Sequence, residues 1–167
     1  MTGTDDNLQE AFAGESQANR RYTFFADKAD KEGYPQIARL FRAAAEAETV
    51  HARNHFNAMD GVGSTKANLN AGIIGEHQEF TGMYPQFIEQ ARVDQYQRAE
   101  VSFDWANKVE EIHHDLFQAA LKALDSDETM KDEPYFVCQS CGNTVEGEAP
   151  ETCPICGAPR SAFKRVD

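Results

Sequence analysis

The sequence predicts a mainly α fold, a four-helix bundle followed by a small domain built on metal knuckles. Three observations predict it. Between residues 7 and 124 apolar side chains recur at three- and four-residue spacing in four long stripes. All four cysteines fall within Cys138–Cys156, as two Cys-x-x-Cys pairs. Acidic residues lie on the apolar stripes themselves, where an unpaired charge costs several kcal/mol.

The first stripe, over residues 7–31, carries Leu8, Ala11, Phe12, Glu15, Asn19, Tyr22, Phe25 and Ala29. Thr4, Asp5 or Asp6 can cap its start, and Gly33-Tyr34-Pro35 ends it. The second carries Ile37, Leu40, Phe41, Ala44, Glu48, His51, His55 and Met59, with Gly61 and Gly63 as stops. Ser64 or Thr65 can cap the third, which holds Leu69, Ile73, Glu76, Glu79, Phe80, Met83 and Phe87. Pro85 within it removes a backbone donor, so a kink or short break is expected there. The fourth carries Val101 or Phe103, then Ala106, Val109, Glu110, His113, Leu116, Phe117, Ala120 and Leu124. Roughly 20–27 residues each gives rods of about 30–40 Å, which short connections assemble into a bundle.

The domain organisation expected is a helical domain over 1–125, a linker over 126–134 and a knuckle domain over 135–167. The chain has 167 residues, 28 Asp and Glu against 16 Lys and Arg, and a formal net charge of −12. That sign excludes nucleic acid as a main partner, because phosphates require a basic footprint. The last 33 residues hold four acids and three bases, so nearly all the excess lies in the helical part and linker. No apolar run is long enough to span a membrane, and the acidic start Met-Thr-Gly-Thr-Asp-Asp is unlike a secretory signal. A cytoplasmic location is expected.

Glu15, Glu48, Glu76, Glu79 and Glu110 all sit on inward stripes. Glu48-Thr-Val-His51 and Glu110-Glu-Ile-His113 each place a carboxylate and an imidazole one helical turn apart, where both can reach one ion. One Glu-x-x-His arises by chance in any helix. Two of them, with inward Glu15 and Glu76/Glu79 on the other helices, form a set that can hold two metal ions. The bland reading of the same residues is a set of solvated, salt-bridged faces. Glu111 and His114 satisfy the last motif too, but their neighbours Asn107, Lys108, Asp115 and Gln118 are polar, so Glu110 and His113 are assigned inward. His55 reads as a core or supporting histidine. Tyr22 and Tyr84 could hydrogen-bond the carboxylates or simply fill the core.

Cys138-Gln-Ser-Cys141-Gly142 and Cys153-Pro-Ile-Cys156-Gly157 are matching knuckles. In each, the glycine after the second cysteine lets backbone amides approach sulfur. Four thiolates favour tetrahedral iron or zinc, and the spacing does not choose between them. With Tyr135, Phe136 and Phe163 as its only aromatic residues, this segment depends on the metal for stability.

Taken together, the sequence resembles the rubrerythrins over nearly its whole length. The resemblance is carried by Gly14-Glu15-Ser, Tyr22, Glu46-Ala-Glu48-Thr-Val-His51, Gly75-Glu76-His-Gln-Glu79, Met83-Tyr84-Pro85, Glu110-Glu-Ile-His113 and the two Cys-x-x-Cys-Gly knuckles. It implies a ferritin-like four-helix domain with two non-haem irons, then a rubredoxin-like domain. The latter would hold one iron on its four cysteines, where isolated protein can carry zinc. The resemblance also implies that Glu48 and Glu110 bridge the irons, that Glu15 and Glu76 are terminal, and that His113 holds one iron. The other iron would exchange His51 for Glu79 between redox states. The implied activity is reduction of hydrogen peroxide to water, with electrons entering through the tetrathiolate iron from an NAD(P)H-linked reductase or a rubredoxin. The alternatives are a ferroxidase or iron-handling protein, and a zinc-ribbon interaction or sensor module.

One feature departs from longer members. Only about Asp60–Thr65 is free of helix signals between the second and third stripes, a reach of roughly 20 Å. A crossover the length of the bundle does not fit in it. The expectation is a homodimer with swapped helix pairs, in which Glu15, Glu48 and His51 of one chain meet Glu76, Glu79, Glu110 and His113 of the other.

Overall fold

The computed structural model describes residues 3–126 and 129–167. Asp127 and Glu128 of the expected linker, and Met1 and Thr2 of the acidic start, lie outside the described residues. The chain divides into two compact units, 1–63 and 64–167.

The first unit is a helical hairpin of α1 (Gly3–Lys31) and α2 (Pro35–Ala58). Phe12 stacks on Phe56, Asn19 bonds Ala45 and Thr49, and Phe25 meets Phe41 edge-on, so the two helices run antiparallel. Ala26, Ala29 and Ala38 are buried with Phe41 against them. Small side chains at the crossing let the backbones approach closely, which fixes where the longer side chains meet. Thr4, Asp5 and Asp6 do not cap α1 but stand within its first turn. There their position suits the positive end of the helix. Gly33 ends α1 at φ +83°, with Tyr34 N–H donating to Ala29 O and Gly33 N–H to Asp30 O. This pair of bonds satisfies carbonyls that the helix end leaves open. The same closure ends α2, but its left-handed residue is Asp60 at φ +52°, not a glycine. Gly61 is required for a different reason, since a Cβ there would run into the Phe56 ring.

The second unit begins at α3 (Thr65–Gln78), capped by the Ser64 hydroxyl accepting from Ala67 N–H at 3.2 Å. The third stripe is interrupted, as Pro85 leads one to expect. A π-helical segment, Glu79–Met83, precedes α4 (Tyr84–Val93), and Tyr84 N–H donates to Glu79 O. A π turn holds one extra residue, and proline at the start of α4 needs no donor. α5 (Gln97–Asp125) begins earlier than its stripe, because Gln97-Arg-Ala-Glu100 adds a polar first turn. α5 runs antiparallel to the broken helix, with Phe117 beside Gly72, His114 beside Phe80, and Phe103 beside Tyr84 and Phe87.

The same unit ends in a three-stranded antiparallel sheet of order β2-β1-β3. Its strands are β1 (Tyr135–Cys138), β2 (Thr144–Glu146) and β3 (Phe163–Val166), with a 3-10 turn, Arg160–Ala162, before the last. Phe136 pairs with Val145 on one side and Arg165 on the other. This small sheet holds the first knuckle at the end of β1. Six residues, 59–64, connect α2 to α3.

Gly33→Ala is expected to cost about 1 kcal/mol, all of it backbone strain, since a Cβ there meets nothing within 4 Å. The urea midpoint reads this directly. An unchanged midpoint would contradict the assigned turn.

Candidate metal centres

α1 and α2 bring Glu15, Glu48 and His51 together, each offering a ligand atom within 4.8 Å of the others. His51 Nδ1 lies 3.0 Å from Glu48 Oε2, as the one-turn spacing requires. A side-chain hydrogen bond between Glu15 and Glu48 raises the pKa of Glu15, with burial and the Glu48 charge acting the same way. That bond, joined by one from His51, lowers Glu48. The two carboxylates are thus shifted in opposite directions by their closeness, which a cation between them would relieve. Asn19 fixes the relative height of the two helices, donating to Ala45 O at 2.7 Å and Thr49 Oγ1 at 2.8 Å. His55 stands close enough to act on the Glu15 charge. Tyr22 packs its ring with Phe25 and Phe41, consistent with the core-filling reading of that residue.

α3 and α5 assemble a second group from Glu76, Glu110 and His113, again with ligand atoms within 4.8 Å. His113 Nδ1 is 2.8 Å from Glu110 Oε2. Burial raises the Glu76 carboxyl above the ordinary range, and the charges of Glu110 and Glu79 raise it further. Glu79, at the start of the π segment, is outside this tight group but feels Glu110 and His113, and burial followed by Glu110 raises it too. The Tyr84 phenol is pushed up by burial and then by Glu110, Glu79 and Glu76, which places it beside the carboxylates. The hydrogen bond to Glu110 raises His113. Glu111 is exposed, while His114 takes Asp115 and Gln118 as partners and lies against Phe80 and His77.

The four cysteines close on one point, with Cys138 and Cys156 Sγ atoms 3.7 Å apart and those of Cys141 and Cys153 3.6 Å apart. A tetrahedral ion with bonds of about 2.3 Å requires sulfur separations of about 3.8 Å. Gly142 and Gly157, at φ +86° and +77°, return their N–H groups to Cys138 O and Cys153 O, so the two knuckles are built alike. Burial pushes up the Cys141 and Cys156 thiols. It opposes the Cys153 thiolate too, but amide hydrogen bonds from Cys156 and Ile155 and the neighbouring thiols outweigh it and bring Cys153 down to about 7. The buried Asn143 directs Nδ2 at Cys153 Sγ, 3.7 Å away.

Three residues of these surroundings carry no sequence signal. Asn143 looks like an ordinary turn residue, yet it is 1% exposed. Asn107, placed on a polar face by its neighbours, has its Oδ1 buried without a partner. Thr144 accepts or donates at His113 Nε2, 2.9 Å away, across 31 residues of sequence.

Oxygen and imidazole donors with raised carboxyls suit a pair of first-row metal ions, and four converging thiols suit one tetrahedral ion. The class is thus a helical carboxylate–histidine di-metal protein with an appended tetrathiolate domain. Comparison with known proteins agrees. Residues 6–121 match the family model described as rubrerythrin, and residues 136–164 match that of the rubrerythrin rubredoxin-like domain. Rubrerythrin-2 of Clostridium acetobutylicum is 37% identical over 96% of this chain and 95% of its own length. Nigerythrin of Nitratidesulfovibrio vulgaris is 35% identical over 96% of this chain and 85% of its own. A solved structure of nigerythrin in its fully reduced, all-ferrous state aligns with a TM-score of 0.59 at 33% identity, covering 99% of this chain and 88% of that one.

The chain belongs to the rubrerythrin family, a family of di-iron oxidoreductases with a ferritin-like helical domain and a rubredoxin-like domain. The di-iron site and the four-cysteine iron site are its two metal centres.

Glu76→Gln is expected to raise the melting temperature of the metal-free protein at pH 7 by a few degrees. The Glu76 carboxyl is raised on folding, so its ionised form disfavours the fold above that pKa, and Gln removes the penalty. The advantage should fade as pH falls toward the ordinary 4.5 and be gone below it. Differential scanning calorimetry across pH measures it, and a lower melting temperature at pH 7 would reverse the assigned sign.

Proposed function

We propose that this chain reduces hydrogen peroxide to water at the carboxylate–histidine centre. Electrons would arrive one at a time through the tetrathiolate centre from an external NAD(P)H-linked reductase or a rubredoxin. The observation that carries this reading is the hydrogen bond between Thr144, in the knuckle domain, and His113, a member of the Glu/His group. A storage or iron-mineralising protein has no use for a redox domain seated on its metal-site helix. The functional division is 1–125 for the helical domain, 126–134 for the linker and 135–167 for the electron-entry domain.

Glu15, Glu48, Glu76, Glu110 and His113, with either His51 or Glu79, would hold the iron pair. When bound, the iron pair supplies the two electrons that break the O–O bond. The overall change takes two electrons and two protons per peroxide and leaves two waters. Burial and the carboxylates around it raise the Tyr84 phenol, so it keeps its proton and can hold one beside the reacting oxygens. His51, exposed and joined only through Glu48, is free to yield its place to Glu79.

The site is proposed to be completed by two copies of the chain. Each unit presents three to four ligands, and the six residues at 59–64 span at most about 20 Å. α2 alone, at 24 residues, is about 36 Å long. Phe25 is 47% exposed and Leu40 67%, apolar surface that a partner helix pair would cover.

Two experiments test these points. Cys156→Ser should abolish NAD(P)H-linked peroxide turnover with added reductase, while chemically reduced protein still consumes one portion of peroxide. Unchanged linked turnover would defeat the proposed electron route. Coexpression of Glu48→Ala and Glu110→Ala chains should restore one intact centre per mixed dimer, because swapping gathers both defects into the other centre. Failure of the mixed dimer to bind iron pairs would place all ligands of a centre in one chain.

A further inference from the structure

Thr144 stands at the point where the knuckle domain touches the helical centre, and both hydrogen-bonding capacities of its hydroxyl are used. Its Oγ1 lies 2.9 Å from His113 Nε2 and 3.0 Å from Gly142 O. The carbonyl can only accept, so the hydroxyl proton goes to Gly142 O. The oxygen lone pair then remains for a donor, which must be Nε2–H of His113. That choice puts a proton on Nε2, so Nδ1, 2.8 Å from Glu110 Oε2 on the side where the ligands converge, is the nitrogen left for an ion. Gly142 is the residue after Cys141, and it faces Val109, the neighbour of Glu110, with a Cβ position 3.7 Å from Val109 Cγ1. One hydroxyl thus connects the glycine that follows Cys141 to an imidazole of the other centre through two hydrogen bonds.

From this geometry we propose that Thr144 is a positioning residue for both centres. It fixes the metal-facing nitrogen of His113 and latches the knuckle domain onto α5, so that one electron at a time passes from the tetrathiolate iron to the iron held by His113. This deepens the proposed function and rests on it only for the electron step. The ligand-orienting part stands independently, since any divalent ion in the Glu/His group needs the same imidazole nitrogen. A valine at this position keeps the β-branched shape that suits β2, whereas serine keeps the hydroxyl. The two substitutions therefore separate packing from hydrogen bonding.

The test uses the full-length protein with zinc in all sites, which is diamagnetic, and compares wild type with Thr144→Val and Thr144→Ser. Nitrogen-15 NMR of the histidine rings should show His113 protonated at Nε2 in the wild type, with solvent exchange of that proton about 10-fold or more faster in T144V and restored in T144S. Cobalt titration of the Glu/His centre, read by its visible bands with the thiolate site already filled, should show an affinity loss of about 10–100-fold in T144V. Stopped-flow reoxidation of the tetrathiolate iron by peroxide should slow in T144V and recover in T144S. Equal proton exchange and equal cobalt affinity in wild type and T144V would overturn the positioning role. A changed affinity with unchanged intersite electron transfer would overturn the latch. If the wild type itself transfers no electrons to peroxide while T144V still loses cobalt affinity, the proposed function fails and the orienting role of Thr144 stands.

Discussion

The constraint on which the structure depends is the placement of carboxylates on helix faces that should be apolar. The hydrogen bond between Glu15 and Glu48 raises Glu15 and lowers Glu48; Glu76 and Glu79 are raised by burial and by Glu110. Each is a local conflict between electrostatics and folding, and one remedy serves all of them. A divalent or trivalent ion offsets the mutual repulsion and the desolvation of several carboxylates at once. The long antiparallel helices, the alanines that bring α1 and α2 close, and Asn19 between them all serve to hold those acids at ligand distance. Much of the acidity in the composition is therefore interior chemistry, and the net charge of −12 describes only the metal-free chain.

The thiolate end answers the same problem with different atoms. Four converging sulfurs, three of them with pKa values that burial opposes, are stable together only around a cation. Few apolar side chains surround them, so the knuckles and the three short strands form a domain whose folding and metal binding are one event. Its attachment to α5 through Thr144 then gives the fold a direction. The knuckle domain and α3–α5 lie within one unit of the chain, with Thr144 against His113.

The helices were legible because a 3.6-residue period leaves a repeating stripe, and the two Glu/His clusters were legible because a Glu on such a stripe is out of place. Ser64 and Gly33 were legible as punctuation for the same reason: each solves a hydrogen-bonding or backbone problem that only certain residues solve. The break before Pro85 was legible, but not its form, since proline announces a missing donor and the extra residue of a π turn depends on how α5 packs alongside. The left-handed residue that closes α2 is Asp60, because the turn geometry rather than residue preference set that position. Thr144 and Asn143 were invisible because their roles exist only after two distant segments meet. Asn107 misled, as a polar neighbour list says nothing about which atoms the next helix covers.

Mössbauer spectroscopy of protein loaded with iron-57, oxidised and then reduced, tests the central claim most directly, because it separates iron by ligand type and by coupling. Two signals are expected in the oxidised protein. One is a tetrathiolate ferric ion, and the other is a spin-coupled ferric pair with oxygen and nitrogen ligands in twice the amount. Tetrathiolate iron alone, or magnetically isolated iron at the Glu/His positions, would contradict it.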